Sequence, residues 1–487
     1  MNKLGNKSIV LTFSNIATLV ITMICSMIIA RYRTLEENGT YTQILLVINT
    51  VMSFAVLGLP NSITYFIGKS NKKEERDTFT STYYVSLLTI SLLVGIILYC
   101  ISPVIADFYN NDALISVRYT FLLLPGCLQI TSTVSDVLIG YGEVIVLVIY
   151  RIIYSVLVLA VNILMVVMGW SFNLYMLVYA ALLAGLSVAV VLIIKFRVNV
   201  KHFFSFDKKL IGEVLKFCIP LGIATIIGTL SLEFDKLFIS TMYSTEVLGM
   251  YNYMAKELPI VAVTSSVTSI LLPSTARLIS NGNKEKAIQL WKNSTVVTFA
   301  ITAFFVSGVF VYAEQVISIL YSDKYLAGAT IFRIYTISLL LRFTYFGLFF
   351  NCTGKAKKIL HYSIIGLVIN IVFNYIFYYA IGINGPAMAT VLALYVSVGL
   401  ELKGTCKLLN VKMKDILPWS SYVKLLLVNM VMAICFYNIK KYIPLDTYVG
   451  DNLESVLLAF VWAFAYFVVI RKKIIIVWKD FNNTEGV

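Results

Sequence analysis

The side chains best placed to do chemistry in this sequence are the charges that stand inside long apolar stretches. Arg151, Lys236, Lys256, Arg333 and Arg342 are such basic residues, Arg31 closes the first stretch, and the acids are Asp136, Glu143, Glu233, Asp235, Glu257 and Glu401. A charge at the centre of a membrane helix costs about 2.5 to 3.5 kcal/mol on insertion scales, so a retained one asks for a polar cavity or a partner. Arg342 is the deepest, some 15 residues into its stretch and hence roughly 22 Å from the stretch's outer end at helical rise. In Ser231-Leu232-Glu233-Phe234-Asp235-Lys236, Glu233 and Lys236 are three apart and share a helix face, whereas Asp235 points elsewhere. Lys256-Glu257 sits at similar depth on the following stretch, which predicts a mixed-charge cluster. A carboxylate in such a place can bind H⁺ or Na⁺ in one state and release it in another, which makes Asp235, Glu233 and Glu257 the candidates for ion coupling. The structural alternative is internal ion pairing, with Arg31, Arg333, Glu143 and Glu401 near enough to an interface to reach headgroups.

Bond-making chemistry finds little to work with. The two histidines, His202 and His361, form no HExxH pattern. Gly68-Lys69-Ser70 resembles the end of a P-loop, but position 63 is Ile and no soluble strand and helix surround it. Seven scattered cysteines contain no CxxC pair, so neither a disulfide framework nor a zinc site is expected. The expectation is a protein that is not an enzyme and carries no cofactor or metal.

The elements that must position these charges follow from composition. Of 487 residues, 59% are hydrophobic and only 13% charged, against about 25% charged in a soluble domain. The net charge of +14 would suit nucleic acid, but a mean hydropathy of +0.86 assigns it to membrane loops instead. Fourteen apolar stretches of spanning length can be placed. They lie near 9–30, 42–67, 82–105, 116–139, 144–168, 174–196, 214–241, 248–275, 293–318, 328–351, 359–380, 385–409, 420–439 and 453–470. Breaks between them carry turn chemistry or charge, as at Pro103, Asn110-Asn111-Asp112 and Asn384-Gly385-Pro386. With alternate loops assigned to alternate sides, 28 Lys and Arg fall on the side of both termini and six on the other. That asymmetry predicts cytoplasmic termini and an even number of spans. The loops are too short for a soluble catalytic domain, which counts against a glycosyltransferase or polysaccharide polymerase.

Four correspondences suggest a duplication. Gly39-Thr40-Tyr41 is answered by Gly249-Met250-Tyr251, Leu59-Pro60 by Leu272-Pro273, Gly142 by Gly354 and Asn162 by Asn374, at offsets of 210 to 213. Six spans separate the copies, so the halves share one orientation and predict two six-helix lobes related by an axis along the membrane normal. The fold class expected is therefore an all-α membrane protein, with lobes over 1–200 and 201–412 and two additional spans over 413–487.

The sequence resembles the polysaccharide transporter branch of the multidrug/oligosaccharidyl-lipid/polysaccharide exporter superfamily, the Wzx-type O-antigen flippases. The likeness is carried by Ala30-Arg31, Glu37-Asn38-Gly39-Thr40-Tyr41, Gly58-Leu59-Pro60, Glu233-Phe234-Asp235-Lys236, Leu248-Gly249-Met250-Tyr251, Ala255-Lys256 and Leu272-Pro273. It implies translocation of an undecaprenyl-pyrophosphate-linked oligosaccharide across a bacterial inner membrane for O-antigen, capsule or exopolysaccharide assembly. It also implies a cationic cavity, for which Arg31, Arg151, Lys236, Lys256 and Arg342 are the expected head-group ligands, since Arg and Lys engage pyrophosphate through charge-assisted hydrogen bonds. Membrane lipid, H⁺ or Na⁺, a polysaccharide polymerase and chain-length machinery are the partners that go with this reading, and nucleic acid is not. A drug or metabolite antiporter of the same superfamily is the alternative, disfavoured by the two extra spans and the five basic positions.

Overall fold

The computed structural model describes residues 3–69, 72–200, 205–256, 258, 260–355, 357–442 and 451–485. Every regular element among them is helical. In chain order the helices used below are α1 (Lys3–Tyr32), α2 (Leu35–Ala55), α3 (Ser62–Lys69), α4 (Lys73–Tyr109), α5 (Tyr119–Gly140), α6 (Val144–Val167), α7 (Phe172–Leu192) and α8 (Lys208–Met242). They continue as α9 (Thr245–Met254), α10 (Val261–Ser280), α11 (Lys284–Val311), α12 (Ala329–Ser338), α13 (Leu348–Cys352), α14 (Lys357–Ile381), α15 (Asn384–Leu409), α16 (Trp419–Tyr442) and α17 (Asp451–Glu485).

Local chemistry sets several boundaries. Thr34 opens α2 with a capping box: its side chain accepts from the Glu37 N–H, and the Glu37 carboxylate accepts from the Thr34 N–H, both at 3.1 Å. Ser171 caps α7, and Asp207 caps α8 by accepting from the Lys209 and Leu210 N–H groups. Asn110, left-handed at φ 49°, ends α4. Pro103 does not break that helix, contrary to the sequence expectation; it lies inside it, seven residues from the end. Pro386, in the first turn of α15, stands where a missing N–H costs no helical hydrogen bond.

Among the described residues, eleven helices are long and apolar enough to cross a membrane. A twelfth span is the bent pair Leu35–Ala55 and Leu59–Lys69, which turns through 61°. The corner is made by Leu57 and Gly58, both left-handed at φ 43° and 74°. The other two predicted stretches, 248–275 and 328–351, are not continuous helices. The first is divided between α9, which ends at Met254, and α10, which starts at Val261; the second is α12, a 3₁₀ turn at Leu339–Leu341, irregular backbone over 342–347, and α13. Among the described residues the fourteen predicted stretches thus correspond to eleven straight helices, one bent pair and two interrupted stretches, and a count of fourteen continuous spans is not confirmed. The physical reason lies in composition: the interrupted segments carry Lys256 and Pro259, and Arg342, at the depth where a continuous helix would need apolar residues.

The chain forms two compact units, Met1–Asn252 and Tyr253–Val487. In the first, α4, α5, α7 and α3 surround a core that includes Tyr84, Phe121, Leu138, Leu147 and Leu183. Here α8 packs along α2. Gly222 of α8 is seated in the corner of the bent pair, where a Cβ would run into the Leu57 carbonyl. At the other end of α2, a Cβ on Gly39 would strike the Thr245 carbonyl oxygen and a Cβ on Gly249 the Leu35 carbonyl oxygen. In the second unit, α10, α11 and α13 build a core around Trp291 and Phe349. Its last two spans are fastened to α11: Tyr466 donates to the Ala300 carbonyl at 3.0 Å, Tyr422 to Thr295 at 2.7 Å, and Trp462, fully buried, stacks on Phe436.

Candidate functional site

The five basic positions fall into different settings. In the first unit, Arg31 is exposed at the end of α1, and it is its neighbour Arg33 that is buried. The Arg33 guanidinium lies 5.2 Å from the Tyr175 ring centre, donates to the Met165 sulfur at 3.0 Å, and stands 3.6 Å from Glu37. Arg33 thus joins three helix ends, a structural role not legible from its place in the sequence, where it reads as the third residue of a polar break.

Arg151 stands two turns into α6. It donates to the Asn15 carbonyl oxygen of α1 and, at 2.9 Å, to the Ser135 hydroxyl of α5. Asp136, beside Ser135, is exposed and lies within electrostatic reach of the guanidinium. Three helices therefore converge on one half-buried cation whose partners Asn15 and Ser135 are neutral. Such partners hold a guanidinium in place without cancelling its charge.

On α8, Lys236 and Glu233 form the ion pair that their spacing predicts, at 2.7 Å. Asp235 turns away from them, as expected, and is 2% exposed. Its carboxylate accepts from the Lys236 backbone N–H at 2.7 Å and from the Tyr251 hydroxyl of α9 at 3.3 Å. Glu257, the third carboxylate of that expectation, lies outside the described residues.

The second unit holds Lys256 and Arg342, one at each interrupted stretch. Met254, Ala255, Lys256 and Leu258, which follow the end of α9, share the wall of one small cavity with Phe332, Tyr335, Thr336, Ser338 and Leu339, which lead out of α12. Beneath it, Ile260, Leu339 and Val306 of α11 form an apolar floor. Arg342 follows directly on the 3₁₀ turn that this wall leads into, its N–H bonded to the Leu339 carbonyl at 2.9 Å. Irregular backbone at membrane depth is tolerated only where it is buried in protein or lines a wet cavity. The Lys256 ammonium lies 5.7 Å from the centre of the Tyr253 ring, which packs edge-on against Tyr321 and Tyr325. Burial pushes the Tyr321 phenol up to about 12.

A group that sequence reasoning noted only as a repeat marker proves chemically pointed. Asn374 of α14 is fully buried, its amide donates to Asn370, and Asn370 donates to Thr390 of α15 at 3.2 Å. The Asn374 carbonyl oxygen has no hydrogen-bond partner. Its counterpart Asn162 accepts from the Tyr175 hydroxyl at 3.1 Å. Among the described residues no three His, Cys, Asp or Glu side chains come together as a metal site.

Comparison with known proteins gives three kinds of match. A family described as polysaccharide biosynthesis protein matches residues 10–330. An uncharacterized membrane protein of Methanocaldococcus jannaschii is 23% identical over 402 residues, 77% of this chain and 91% of the relative. Among solved structures, the lipid II flippase MurJ in an inward closed conformation superposes with a TM-score of 0.76 over 96% of this chain and all of its own, at 15% identity. The multidrug transporter DinF-BH, of the MATE type, does so at 0.56 over 84% and 96%, and a MOP superfamily transporter from Pyrococcus furiosus at 0.57 over 83% and 94%, both at 16% identity. These likenesses show the fold: a multi-pass membrane protein built as MurJ and the MATE transporters are.

Proposed function

The chain belongs to the polysaccharide biosynthesis protein family, and from that membership we propose that it is a flippase. Its substrate on this reading is an undecaprenyl-pyrophosphate-linked oligosaccharide, moved across a bacterial cytoplasmic membrane by alternating access between lobes over 1–200 and 201–412. Both termini face the cytoplasm, and the product serves O-antigen, capsule or exopolysaccharide assembly beside a polymerase and its chain-length machinery. The observation that carries the reading is the pair of interrupted stretches whose ends share one cavity, with Lys256 in its wall and Arg342 just past it. Interrupted spans are how transporters present polar groups to substrate at membrane depth. Two cations so placed suit a pyrophosphate, which offers several oxygens to charge-assisted hydrogen bonds.

Within this reading Lys256 and Arg342 hold the head group on one side. Arg151, held in place by Asn15 and Ser135, and Arg31 serve the first half, and Lys236 answers through its exchange with Glu233. Asp235 and Glu233, with Glu257, are the groups for H⁺ or Na⁺ coupling. Asp235 suits that task because it is buried and its carboxylate accepts from a backbone N–H and a phenol.

A leaflet assay tests the proposal. The full chain is reconstituted in liposomes with a polyprenyl-pyrophosphate oligosaccharide, and lipid accessibility to an impermeant probe is followed. Protein-dependent transfer, weakened at least tenfold by Arg342→Ala, is expected. Retention of the lipid in one leaflet while small cationic drugs cross would replace this reading with the antiporter one.

A further inference from the structure

The lysine-rich end of the α14 and α15 pair is built unlike its counterpart in the first half of the chain. Gly404 of α15 lies against the Tyr362 hydroxyl of α14, which fixes the register of this antiparallel pair. Three residues further along α15 and four back along α14, Lys407 comes level with Lys358. Lys357 and Lys358 occupy the first turn of α14, Lys403 and Lys407 the last two turns of α15, and Lys355 and His361 flank them; all six are exposed. None of the five lysines takes part in an ion pair among the described residues. The corresponding pair, α6 and α7, has Glu143 at the position of Lys355, one repeat offset away, and Glu143 is compensated by Arg197 at 3.5 Å.

Five like charges on two packed helix ends repel one another, no carboxylate among the described residues pairs with them, and an anion collecting there would offset that repulsion. The depth of the collar says which anion. Four of its lysines sit in the end turns of spanning helices, and Lys355 lies in the short break two residues before α14. Just beyond, Trp419 is 40% exposed and donates its indole N–H to the Met413 carbonyl at 2.8 Å, the position of a headgroup-level anchor. A soluble protein would have to enter the headgroup layer to meet these amines, whereas phosphate headgroups are already there.

We propose that the α14/α15 collar is a binding surface for anionic phospholipid headgroups.

The test uses the full chain in nanodiscs of phosphatidylcholine alone or mixed with phosphatidylglycerol, read by unfolding temperature. Anionic lipid should raise that temperature by about 3 °C or more, a shift that shrinks as salt is added. The variant Lys357→Gln/Lys358→Gln/Lys407→Gln should lose most of the shift, while Lys72→Gln/Lys208→Gln/Lys209→Gln, exposed lysines of the first unit, should keep it. In phosphatidylcholine the first variant should unfold at or above the wild-type temperature, because its charges no longer repel; if it does not assemble, Lys407→Gln alone carries the comparison. Equal shifts in both triple variants, or no shift in wild type, would overturn the assignment. So would a response to polyglutamate but not to phosphatidylglycerol, which would give the surface to an acidic protein.

Discussion

Two helix pairs at equivalent places in the duplicated chain, α6/α7 and α14/α15, share a plan and differ in how completely they satisfy themselves. In the first, the buried Asn162 carbonyl receives the Tyr175 hydroxyl, and Glu143 has Arg197. In the second, among the described residues, the buried Asn374 side-chain carbonyl receives nothing and five lysines have no carboxylate. Gly142 and Gly354, at the matching entrances, are both left-handed at φ 78° and 69°, so the backbone plan is common and the side chains alone have diverged. A buried polar group left without a partner is expensive, and its retention is a mark of use. The difference is confined to these positions: the first pair meets Asn162 and Glu143 from within, although its Tyr150 hydroxyl is also buried without a partner among the described residues, and the second leaves Asn374 and its lysines unmet.

The comparison can be broken most severely where the halves still match. Gly39→Val and Gly249→Val each place atoms inside a facing helix backbone, and each should cost about 3 kcal/mol and abolish transport. Thermal unfolding in detergent with the leaflet assay would check this, and unequal losses would deny that the two contacts are equivalent. Next in size, Arg342→Ala should lower transport at least tenfold with little change in unfolding temperature, whereas Arg33→Ala, which removes a joint between helix ends, should do the reverse. Asn162→Leu leaves the Tyr175 hydroxyl buried and unmet, a loss of about 1–3 kcal/mol, while Asn374→Leu removes an oxygen already unmet and should cost less. If the two leucine variants unfold alike, the claimed asymmetry fails. Smallest of all, Glu143→Gln breaks a half-exposed pair and should move stability by no more than about 0.5 kcal/mol in a denaturation curve.

How far the sequence reached depends on what decides each feature. Spanning helices were legible because hydropathy over twenty residues is a property of the segment itself, and the Glu233–Lys236 pair because three-residue spacing fixes a shared face. The repeat was legible at Gly39 and Gly249, whose lack of a side chain is demanded by the close approach of two backbones. The interruption after Met254 and the one over 342–347 were not, since a charge such as Lys256 or Arg342 inside an apolar stretch is also compatible with a continuous helix that gives it a partner. Pro103 misled because proline disfavours a helix without forbidding one when spanning length and packing outweigh it. The Arg33 joint and the unmet Asn374 carbonyl were invisible for a shared reason: both depend on residues far away in sequence, Met165 and Ser171 for one, the absence of a Tyr175 equivalent for the other.

The contact between α2 and α9 carries one more consequence. Gly39 meets Thr245 and Gly249 meets Leu35, and residues 35 and 245 are separated by the same 210 positions as 39 and 249. Residue i touching j while j's counterpart touches i's is the signature of an isologous interface, the kind that two identical subunits form about a two-fold axis. A half-length chain bearing this motif once would be self-complementary at it. The covalent link between the copies has kept a homodimer's handshake inside a single polypeptide.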